Sequence, residues 1–226
     1  MLNERRVLAG IPVRLAGPRQ ARGLVVFFHG AGGSKERSLS LAGPLHALGF
    51  ATLHPDAPHH GERGPVRDPF EAPALLVEAI AGSIEEAPAL VAAARRATGA
   101  KRIFLLGASM GGYVVHELLA RGLEARAAAV LFSAARPIPR LRPFLPEGFV
   151  PALDRAEAYP LVPLLHLHGE EDRVVPLAMM EETVARLAPR YARRPGTLAK
   201  AVFPGVGHEP RPELLWLAAG WFARWA

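Results

Sequence analysis

The stretch RIFLLGASMGGYVVHELLA, residues 102–120, changes its pattern in the middle. Mostly apolar residues run up to Gly107, which is typical of a strand buried on both faces of a parallel sheet. After Gly112 the apolar residues follow helical spacing. The stretch therefore predicts a strand, a sharp turn and a helix, with Ser109 at the turn among three glycines.

The glycines around Ser109 have the spacing Gly-x-Ser-x-Gly. A sharp strand-to-helix turn brings the positions two before and two after the serine close together, where a β-carbon would clash. The turn strains the serine backbone and lifts its hydroxyl to the helix start, where unpaired N–H groups and the helix dipole favour negative charge. Ser109 is therefore a candidate nucleophile, and the Met110 N–H is a candidate oxyanion donor. The alternative is a glycine-rich turn whose serine only caps the helix.

A serine hydroxyl needs a base to become a good nucleophile, and the base needs a third group to orient it. Histidine suits this role because its ordinary pKa lies near neutrality, and His208 lies in a loop between the last strand pattern and the last helix pattern. Asp172 follows the preceding strand pattern, in PLLHLHGEEDRVVP, residues 163–176. Glu170 and Glu171 are rivals for the acid. We favour Asp172 because the two valines after it pack its turn onto the protein, whereas two adjacent acids more often face solvent.

A second oxyanion donor is expected in a loop after an early strand. The sequence VVFFHGAGGSKE, residues 25–36, places such a loop after Phe28. The backbone N–H of Ala31 is the candidate, because the surrounding glycines would let a substrate approach the chain. A phosphate-binding loop is the rival interpretation, but the Gly-Lys-Ser/Thr ending of such loops is missing.

The rest of the chain alternates strand and helix patterns after an N-terminal hairpin that turns at Gly10. Apolar strands separated by helices predict an α/β fold with a mostly parallel central sheet, helices on both faces and an N-terminal antiparallel hairpin. No linker or repeat divides the sequence, so residues 1–226 are predicted to form one domain. Pro73 and Pro88 are expected to interrupt the helix pattern of residues 72–97.

One segment breaks this alternation. Residues 134–160 contain six prolines and no periodic pattern. A connection of this length is either a small lid over a functional site or an irregular, rigid excursion on the surface. As a wall of a substrate pocket, it would contribute Phe144, Leu145 and Phe149.

Composition limits the other classes of function. The chain has no cysteine, which excludes disulfides, thiolate zinc sites and a cysteine nucleophile. The net charge of +6 comes from dispersed arginines without interleaved aromatic residues, so we expect solvated surface charge and no nucleic-acid partner. The sequence has neither a signal-peptide core nor a run of about 18 apolar residues, so a cytoplasmic protein with no membrane partner is expected. The oligomeric state is not predicted.

Two groups of histidines raise the alternative of a metal site. His166 and His168 lie two apart on a strand pattern and point to one face, and His54, His59 and His60 cluster near the end of another strand. The Gly-Glu-Glu-Asp that follows His168 does not extend the spacing of metal ligands. We therefore expect no metal and interpret His166 as a core histidine with satisfied hydrogen bonds.

The loop DAPHHGER, residues 56–63, is expected to border the site formed by the motifs above. His60 and Arg63 are its candidate substrate-binding residues. The other interpretation is that these side chains only order the loop.

Four motifs, taken in chain order, resemble the α/β-hydrolase family: HGAGG (29–33), GASMGG (107–112), HGEEDRVVP (168–176) and GVGHEP (205–210). DAPHHGER further resembles small bacterial hydrolases of the dienelactone-hydrolase and prolyl-oligopeptidase-like branch. The resemblance implies an α/β-hydrolase fold, a triad of Ser109, Asp172 and His208, and no cofactor. Dienelactone hydrolases themselves use cysteine, and prolyl oligopeptidases carry a propeller domain for which this chain has no room. Neither of those two specific activities is therefore expected.

The sequence thus predicts a serine hydrolase that cleaves small carboxylic esters through an acyl-enzyme intermediate. A peptidase or a thioesterase would use the same three residues. A metal-dependent hydrolase would be inhibited by chelators, and a non-catalytic binding protein would leave Ser109 unlabelled by a fluorophosphonate.

Overall fold

The structure, a computed structural model, describes residues 1–64 and 71–226. The strands are β1 Leu2–Leu8, β2 Ile11–Gly17, β3 Leu24–Phe28, β4 Ala51–Pro55, β5 Ile103–Ala108, β6 Ala127–Leu131, β7 Leu164–Gly169 and β8 Leu198–Phe203. The α-helices are α1 Lys35–Ser40, α2 Gly43–Ala47, α3 Pro73–Thr98, α4 Met110–Ala120, α5 Leu177–Tyr191 and α6 Pro212–Trp225. Short 3₁₀ segments lie at Gly61–Arg63, Pro139–Phe144 and Ala152–Ala158. In these two ranges no helix has the length and apolar character needed to cross a membrane.

All eight strands form one sheet in the order β1-β2-β4-β3-β5-β6-β7-β8. β1 pairs antiparallel with β2, β2 pairs antiparallel with β4, and the other neighbours are parallel. The hairpin turns at Ala9 and Gly10, whose φ values of 51° and 80° match the tight turns that right-twisted strands prefer. The predicted mostly parallel sheet with an N-terminal antiparallel hairpin is confirmed.

Helices cover both faces of the sheet because its strands are apolar on both sides. Val25 and Phe27 of β3 enter an apolar core with α2 and α6. Their neighbours Val26 and Phe28 point the other way, into a core with α3 and α4. β3 and β6 are buried along their whole length, which explains why their sequences are continuous apolar runs.

α3 is unbroken, so the expectation that two prolines interrupt it was wrong. Pro73 lies in the first turn, where a missing N–H removes no helical hydrogen bond. Pro88 lies on the exposed side of the helix, whereas Ile84 and Leu90 on either side of it are buried. Packing of that apolar face outweighs the loss of one hydrogen bond inside the helix.

The segment of residues 134–160 leaves the sheet after β6 and returns before β7. The segment folds back on itself, since the Leu153 N–H donates to the carbonyl of Ala135 near its start at 2.8 Å. Leu141 and Leu153 are buried, but Phe144 is 44% exposed. The segment is therefore irregular in structure and has an apolar inner side, and a role as a lid stays a prediction.

Six histidines are buried, and in four of them the pKa is lowered most. Burial lowers the pKa of His29 to about 4 and the pKa of His54 and His116 to about 3, and it lowers the pKa of His166 well below its ordinary value. In the unfolded chain these side chains titrate near their ordinary pKa of about 6.5. Below that pH the unfolded chain takes up protons that the folded chain does not, so stability falls as the pH falls.

We expect the free energy of unfolding to decrease by about 2 kcal/mol for each of His29, His54 and His116 between about pH 7 and pH 5, and His166 should act in the same direction. Urea unfolding at the two pH values measures the change. The variant His54→Gln lacks one of these histidines, so its free energy of unfolding should fall by about 2 kcal/mol less on acidification than that of the wild type. Equal stability at both pH values would contradict the neutral state of these side chains.

Candidate active site

The backbone of Ser109 is strained. It joins β5 to α4 with φ 52° and ψ −117°, a region that residues with a β-carbon seldom occupy. Its N–H donates to the Leu131 carbonyl of β6 at 2.8 Å, and its carbonyl accepts from the Tyr113 N–H at 3.1 Å in the first turn of α4. These two bonds hold the turn in place and leave the side chain free to point away from the sheet.

The two glycines of the motif are required by the lack of space around the turn. A β-carbon on Gly107 would lie 2.2 Å from the Gly111 carbonyl oxygen. A β-carbon on Gly111 would lie 2.1 Å from the carbonyl oxygen of Phe28 on β3. Both neighbours are backbone atoms, so a side chain at either position would force α4 away from the sheet. The close approach predicted from the glycine spacing is present.

The side chains of Ser109, Asp172 and His208 meet at the carboxyl edge of the sheet, after β5, β7 and β8. His208 Nε2 lies 2.8 Å from Ser109 Oγ, and His208 Nδ1 lies 2.7 Å from Asp172 Oδ2. With its hydrogen on Nδ1, the imidazole donates to the carboxylate and accepts from the serine hydroxyl. This arrangement allows the ring to take the serine proton.

The Asp172 carboxylate is held by three donors. Its side chain is fully buried; Oδ2 accepts from His208, and Oδ1 accepts the N–H groups of Val174 and Val175, both at 2.9 Å. Burial raises the pKa of this carboxyl, but the hydrogen bonds from His208 and the two N–H groups lower it by more, so the pKa lies below its ordinary value. The group is therefore charged beside the imidazole. The two rival glutamates before it are exposed.

Residues 29–33, called the oxyanion loop below, lie directly beside the serine. A β-carbon on Gly30 would be 3.3 Å from the Ser109 β-carbon. Ala31 and Met110, whose N–H groups are the predicted oxyanion donors, both line a cavity that also contains Ser109. Their donor role stays a prediction.

Two histidines connect the oxyanion loop to the loop of residues 56–63. His29 of the first loop accepts the Ala57 N–H on Nε2 at 3.1 Å, and His60 of the second accepts the Gly32 N–H on Nε2 at 3.1 Å. The two ring centroids are 5.1 Å apart. Both acceptor nitrogens must be unprotonated, and burial lowers the pKa of both rings. We call this reciprocal arrangement the histidine brace.

His60 and Arg63, the candidate substrate-binding residues, are engaged within the protein. The second ring nitrogen of His60, Nδ1, bonds the Pro58 carbonyl at 2.8 Å. Arg63 makes two hydrogen bonds of 2.7 Å to the Glu86 carboxylate of α3 and one of 3.2 Å to the Asp56 carbonyl. Of the two interpretations of these residues, the observed contacts correspond to ordering of the loop. Substrate contact stays a prediction.

A buried ion pair beneath the oxyanion loop was missed by the sequence analysis. Lys35 Nζ lies 2.5 Å from Asp56 Oδ2, with the two side chains 3% and 0% exposed, and Asp56 also accepts the N–H groups of Lys35 and Glu62 at 2.7 Å and 3.0 Å. Burial raises the pKa of the Asp56 carboxyl, but the Lys35 hydrogen bonds lower it by more. The pair fixes the start of α1, the helix that follows the oxyanion loop. The available signal was an acid directly after a buried strand, which seldom lacks a partner.

Two cavities open on Ser109. The smaller, about 40 Å³, lies under the 134–160 segment, and its walls include Tyr113, Ile138 and Leu141. The larger, about 250 Å³, is bordered by His208 and by residues of the oxyanion loop and extends to Arg37, Leu41 and Pro210. The serine hydroxyl therefore stands between a small, mostly apolar space and a wider one, which we call the acyl-side and the histidine-side cavity.

The prediction that Phe144, Leu145 and Phe149 line the substrate pocket was wrong for the acyl-side cavity. Ile138 and Leu141 line it, together with Pro137, whereas Phe144 points outward, and Leu145 and Phe149 pack on the core from a partly exposed position. The segment turns through a 3₁₀ helix between Pro139 and Phe144, which rotates the aromatic residue to the surface.

Among the described residues, no three histidine, aspartate or glutamate side chains are grouped so that they could hold a metal ion. His166 stacks on His116 with ring centroids 5.1 Å apart, and neither of its ring nitrogens has a hydrogen-bond partner in that part of the chain. His166 is therefore buried in the core as expected, but the expectation that its hydrogen bonds are satisfied was wrong. His168 differs, since its Nε2 donates to the Val175 carbonyl at 2.9 Å.

Known proteins share both the sequence and the architecture. Residues 19–155 match the family described as "Serine aminopeptidase, S33". The chain is 28% identical over 223 residues to "Putative esterase YitV" of Bacillus subtilis, with 86% of this chain and 88% of that protein covered. TT1662 from Thermus thermophilus has 36% identity and a TM-score of 0.87, covering 99% of this chain and 97% of that chain. A cold-adapted esterase from an Arctic intertidal metagenomic library shares the fold at 19% identity, with a TM-score of 0.76 and coverage of 99% and 92%.

Replacing Gly111 by alanine is expected to cost at least about 3 kcal/mol of stability, because the new β-carbon would overlap backbone atoms of β3. Gly220→Ala in α6 is the matched control: no atom lies within 4 Å of its added β-carbon, and alanine favours a helix by about 1 kcal/mol over glycine. Urea unfolding compares the two. A Gly111→Ala variant as stable as the wild type would contradict the close approach.

The histidine brace predicts different outcomes for two substitutions of His60. Glutamine keeps an acceptor for the Gly32 N–H, whereas leucine has none. We expect the Gly32 amide hydrogen to exchange about tenfold faster in His60→Leu than in the wild type, with His60→Gln in between. Amide exchange followed by NMR measures this, and equal exchange in all three proteins would show that the brace does not hold the loop.

Proposed function

Since the chain belongs to the serine aminopeptidase S33 family of hydrolytic enzymes, we propose that it is a carboxylesterase with Ser109 as nucleophile, His208 as base and Asp172 as the acid that orients the base. The unbroken hydrogen-bond chain from the Ser109 hydroxyl through the imidazole to the buried carboxylate is the observation that carries the proposal. The strained backbone of Ser109 adds to it, since strain of this kind concentrates at functional sites.

The reaction starts when Ser109 Oγ attacks the ester carbonyl carbon and its proton moves to His208 Nε2. Asp172 stabilises the imidazolium that forms. The carbonyl oxygen becomes an oxyanion, which the N–H groups of Ala31 and Met110 bind; one such donor contributes about 3 kcal/mol to the transition state.

The intermediate collapses when the bond between the acyl carbon and the alcohol oxygen breaks. His208 Nε2 gives its proton to that oxygen, the alcohol leaves, and the acyl group stays on Ser109. Water then loses a proton to the same nitrogen and attacks the acyl carbon. Release of the carboxylic acid returns the proton to Ser109.

The position of His208 assigns the two sides of the substrate. The alcohol oxygen must lie near His208 Nε2 to receive its proton, so the alcohol occupies the histidine-side cavity of about 250 Å³. The acyl group then enters the acyl-side cavity of about 40 Å³ between Tyr113 and Leu141. On the same measure this cavity is about one sixth of the size of the histidine-side cavity, so we expect the enzyme to prefer a short acyl chain.

An aminopeptidase is the second candidate, because the matching family is named for that activity. Binding the free ammonium group of a peptide calls for a nearby carboxylate. Among the described residues that line the two cavities no aspartate or glutamate occurs, and the charged side chains are Arg37 and Arg136. Together with the description of the Bacillus subtilis relative as an esterase, this favours an ester over a peptide with a free amino terminus.

Ser109→Ala is expected to lower kcat/KM for a short p-nitrophenyl ester by about 10⁴- to 10⁶-fold, because no other group can form the acyl-enzyme. A fluorophosphonate should label the wild type and not this variant, and chelators should leave activity unchanged. Ser40→Ala, at an exposed position on α1, is the control. Esterase activity that largely survives Ser109→Ala would refute the proposal.

A panel of acyl esters, thioesters and amino-acid p-nitroanilides separates the activities that share the triad. We expect the highest kcat/KM for the short acyl esters. A higher kcat/KM for a p-nitroanilide with a free amino group would show that the enzyme is an aminopeptidase and not an esterase. A higher kcat/KM for a thioester would show that it is a thioesterase. Failure of every substrate and of fluorophosphonate labelling would point to a binding protein.

A further inference from the structure

Glu117 on α4 has a fully buried carboxylate that the triad does not use. A buried charge is costly unless several donors surround it. Its Oε1 accepts the Tyr113 hydroxyl at 2.7 Å and the Ala152 N–H at 2.8 Å. Its Oε2 accepts a hydrogen bond from the Arg155 guanidinium, and Arg121 Nε lies 3.7 Å away. Three hydrogen-bond donors and one further cation therefore converge on this side chain, two from α4 and its C-terminal cap and two from the 134–160 segment.

Two of these donors belong to the 134–160 segment. Ala152 and Arg155 lie in its second 3₁₀ helix, so Glu117 fastens the segment to α4, the helix that begins directly after Ser109. The neighbouring His116 adds a hydrogen bond of 3.0 Å between its Nδ1 and the Tyr159 hydroxyl. Directional polar bonds, and not apolar packing alone, hold the segment on this helix.

The same carboxylate is connected to both walls of the acyl-side cavity. Tyr113 forms one wall, and its hydroxyl is bound to Glu117. Ile138 and Leu141 form the opposite wall, and they belong to the segment that Glu117 holds through Ala152. Loss of the carboxylate bonds therefore removes a polar restraint from each of these walls and leaves apolar packing to hold them.

We propose that Glu117 is a positioning residue that fixes the width of the acyl-side cavity and thereby limits the length of the acyl chain that the enzyme accepts. Glu117 touches no substrate and acts through Tyr113 and through the segment. The inference rests on the proposed function, because an acyl chain enters this cavity only when Ser109 is the nucleophile.

Two substitutions weaken the contact between Glu117 and the segment, one from each side. Arg155→Gln removes the charged donor on the segment, at a side chain that is 29% exposed. Glu117→Gln keeps the shape and one acceptor oxygen but removes the charge. Arg121→Gln is the matched control, because it removes a cation from the same carboxylate without touching the segment.

The measurement is a ratio of rates for long and short chains. Ser109 is labelled with an ethyl and with an octyl fluorophosphonate, and kcat/KM is measured for butanoate and octanoate p-nitrophenyl esters. In Arg155→Gln and Glu117→Gln the long-to-short ratio should rise about tenfold, while rates for the short probe and the short ester stay within about threefold of the wild type. Arg121→Gln should leave the ratio unchanged. A merely structural role would lower long-chain and short-chain rates together.

An unchanged long-to-short ratio in folded Arg155→Gln overturns the inference and leaves the proposed function standing. If Glu117→Gln does not fold, Arg155→Gln alone tests the inference. An equal rise of the ratio in Arg121→Gln overturns it as well, because the effect would then not depend on the segment. Wild-type protein that neither fluorophosphonate labels overturns the proposed function and this inference with it.

Discussion

The contact between α4 and the ends of β3 and β5 is the constraint on which the site depends. Gly107 and Gly111 let backbone meet backbone at distances that leave no room for a β-carbon, and the hydrogen bond from the Ser109 N–H to Leu131 fixes the turn from the β6 side. This contact holds one residue at a φ of 52° and directs its hydroxyl to the edge of the sheet. The cost of that backbone, on the order of 1–3 kcal/mol, is offset by the packing of a helix that is buried along its whole length.

Parallel strands explain how residues far apart in the sequence come together. In the order β3-β5-β6-β7-β8 every neighbouring pair is parallel, so five consecutive carboxyl ends lie along one edge. They present, in turn, the oxyanion loop, Ser109, the 134–160 segment, Asp172 and His208. The last loop crosses over the end of β7, since a β-carbon on Gly169 would lie 2.2 Å from the Val206 carbonyl oxygen, and this crossing places the imidazole between the carboxylate and the hydroxyl.

The parts of the site that could be predicted from the sequence are those set by local rules. The Gly-x-Ser-x-Gly spacing, the apolar strands and the loop positions of Asp172 and His208 follow from steric needs and from the alternation of elements. The partners of buried charges could not be predicted, because Asp56 meets Lys35, and Glu117 meets Arg155, only through the tertiary fold. The cavity wall was assigned to Phe144 for a similar reason: a proline-rich segment without a period gives no indication of which side faces inward. The interruption of α3 at Pro88 was predicted wrongly because packing of the helix on the core outweighs the hydrogen bond that a proline removes.

The 134–160 segment begins and ends at neighbouring strands, β6 and β7, and it contributes none of the three residues joined by the hydrogen-bond chain at Ser109. Its length and composition can therefore drift, or be exchanged for another insert, without shifting any strand that carries those residues. The segment supplies one part of the wall of the smaller cavity, and a few polar bonds to α4 couple it to the helix that follows Ser109. A change confined to the segment would therefore alter the shape of that cavity while the hydrogen-bond chain from Ser109 to Asp172 keeps its own supports.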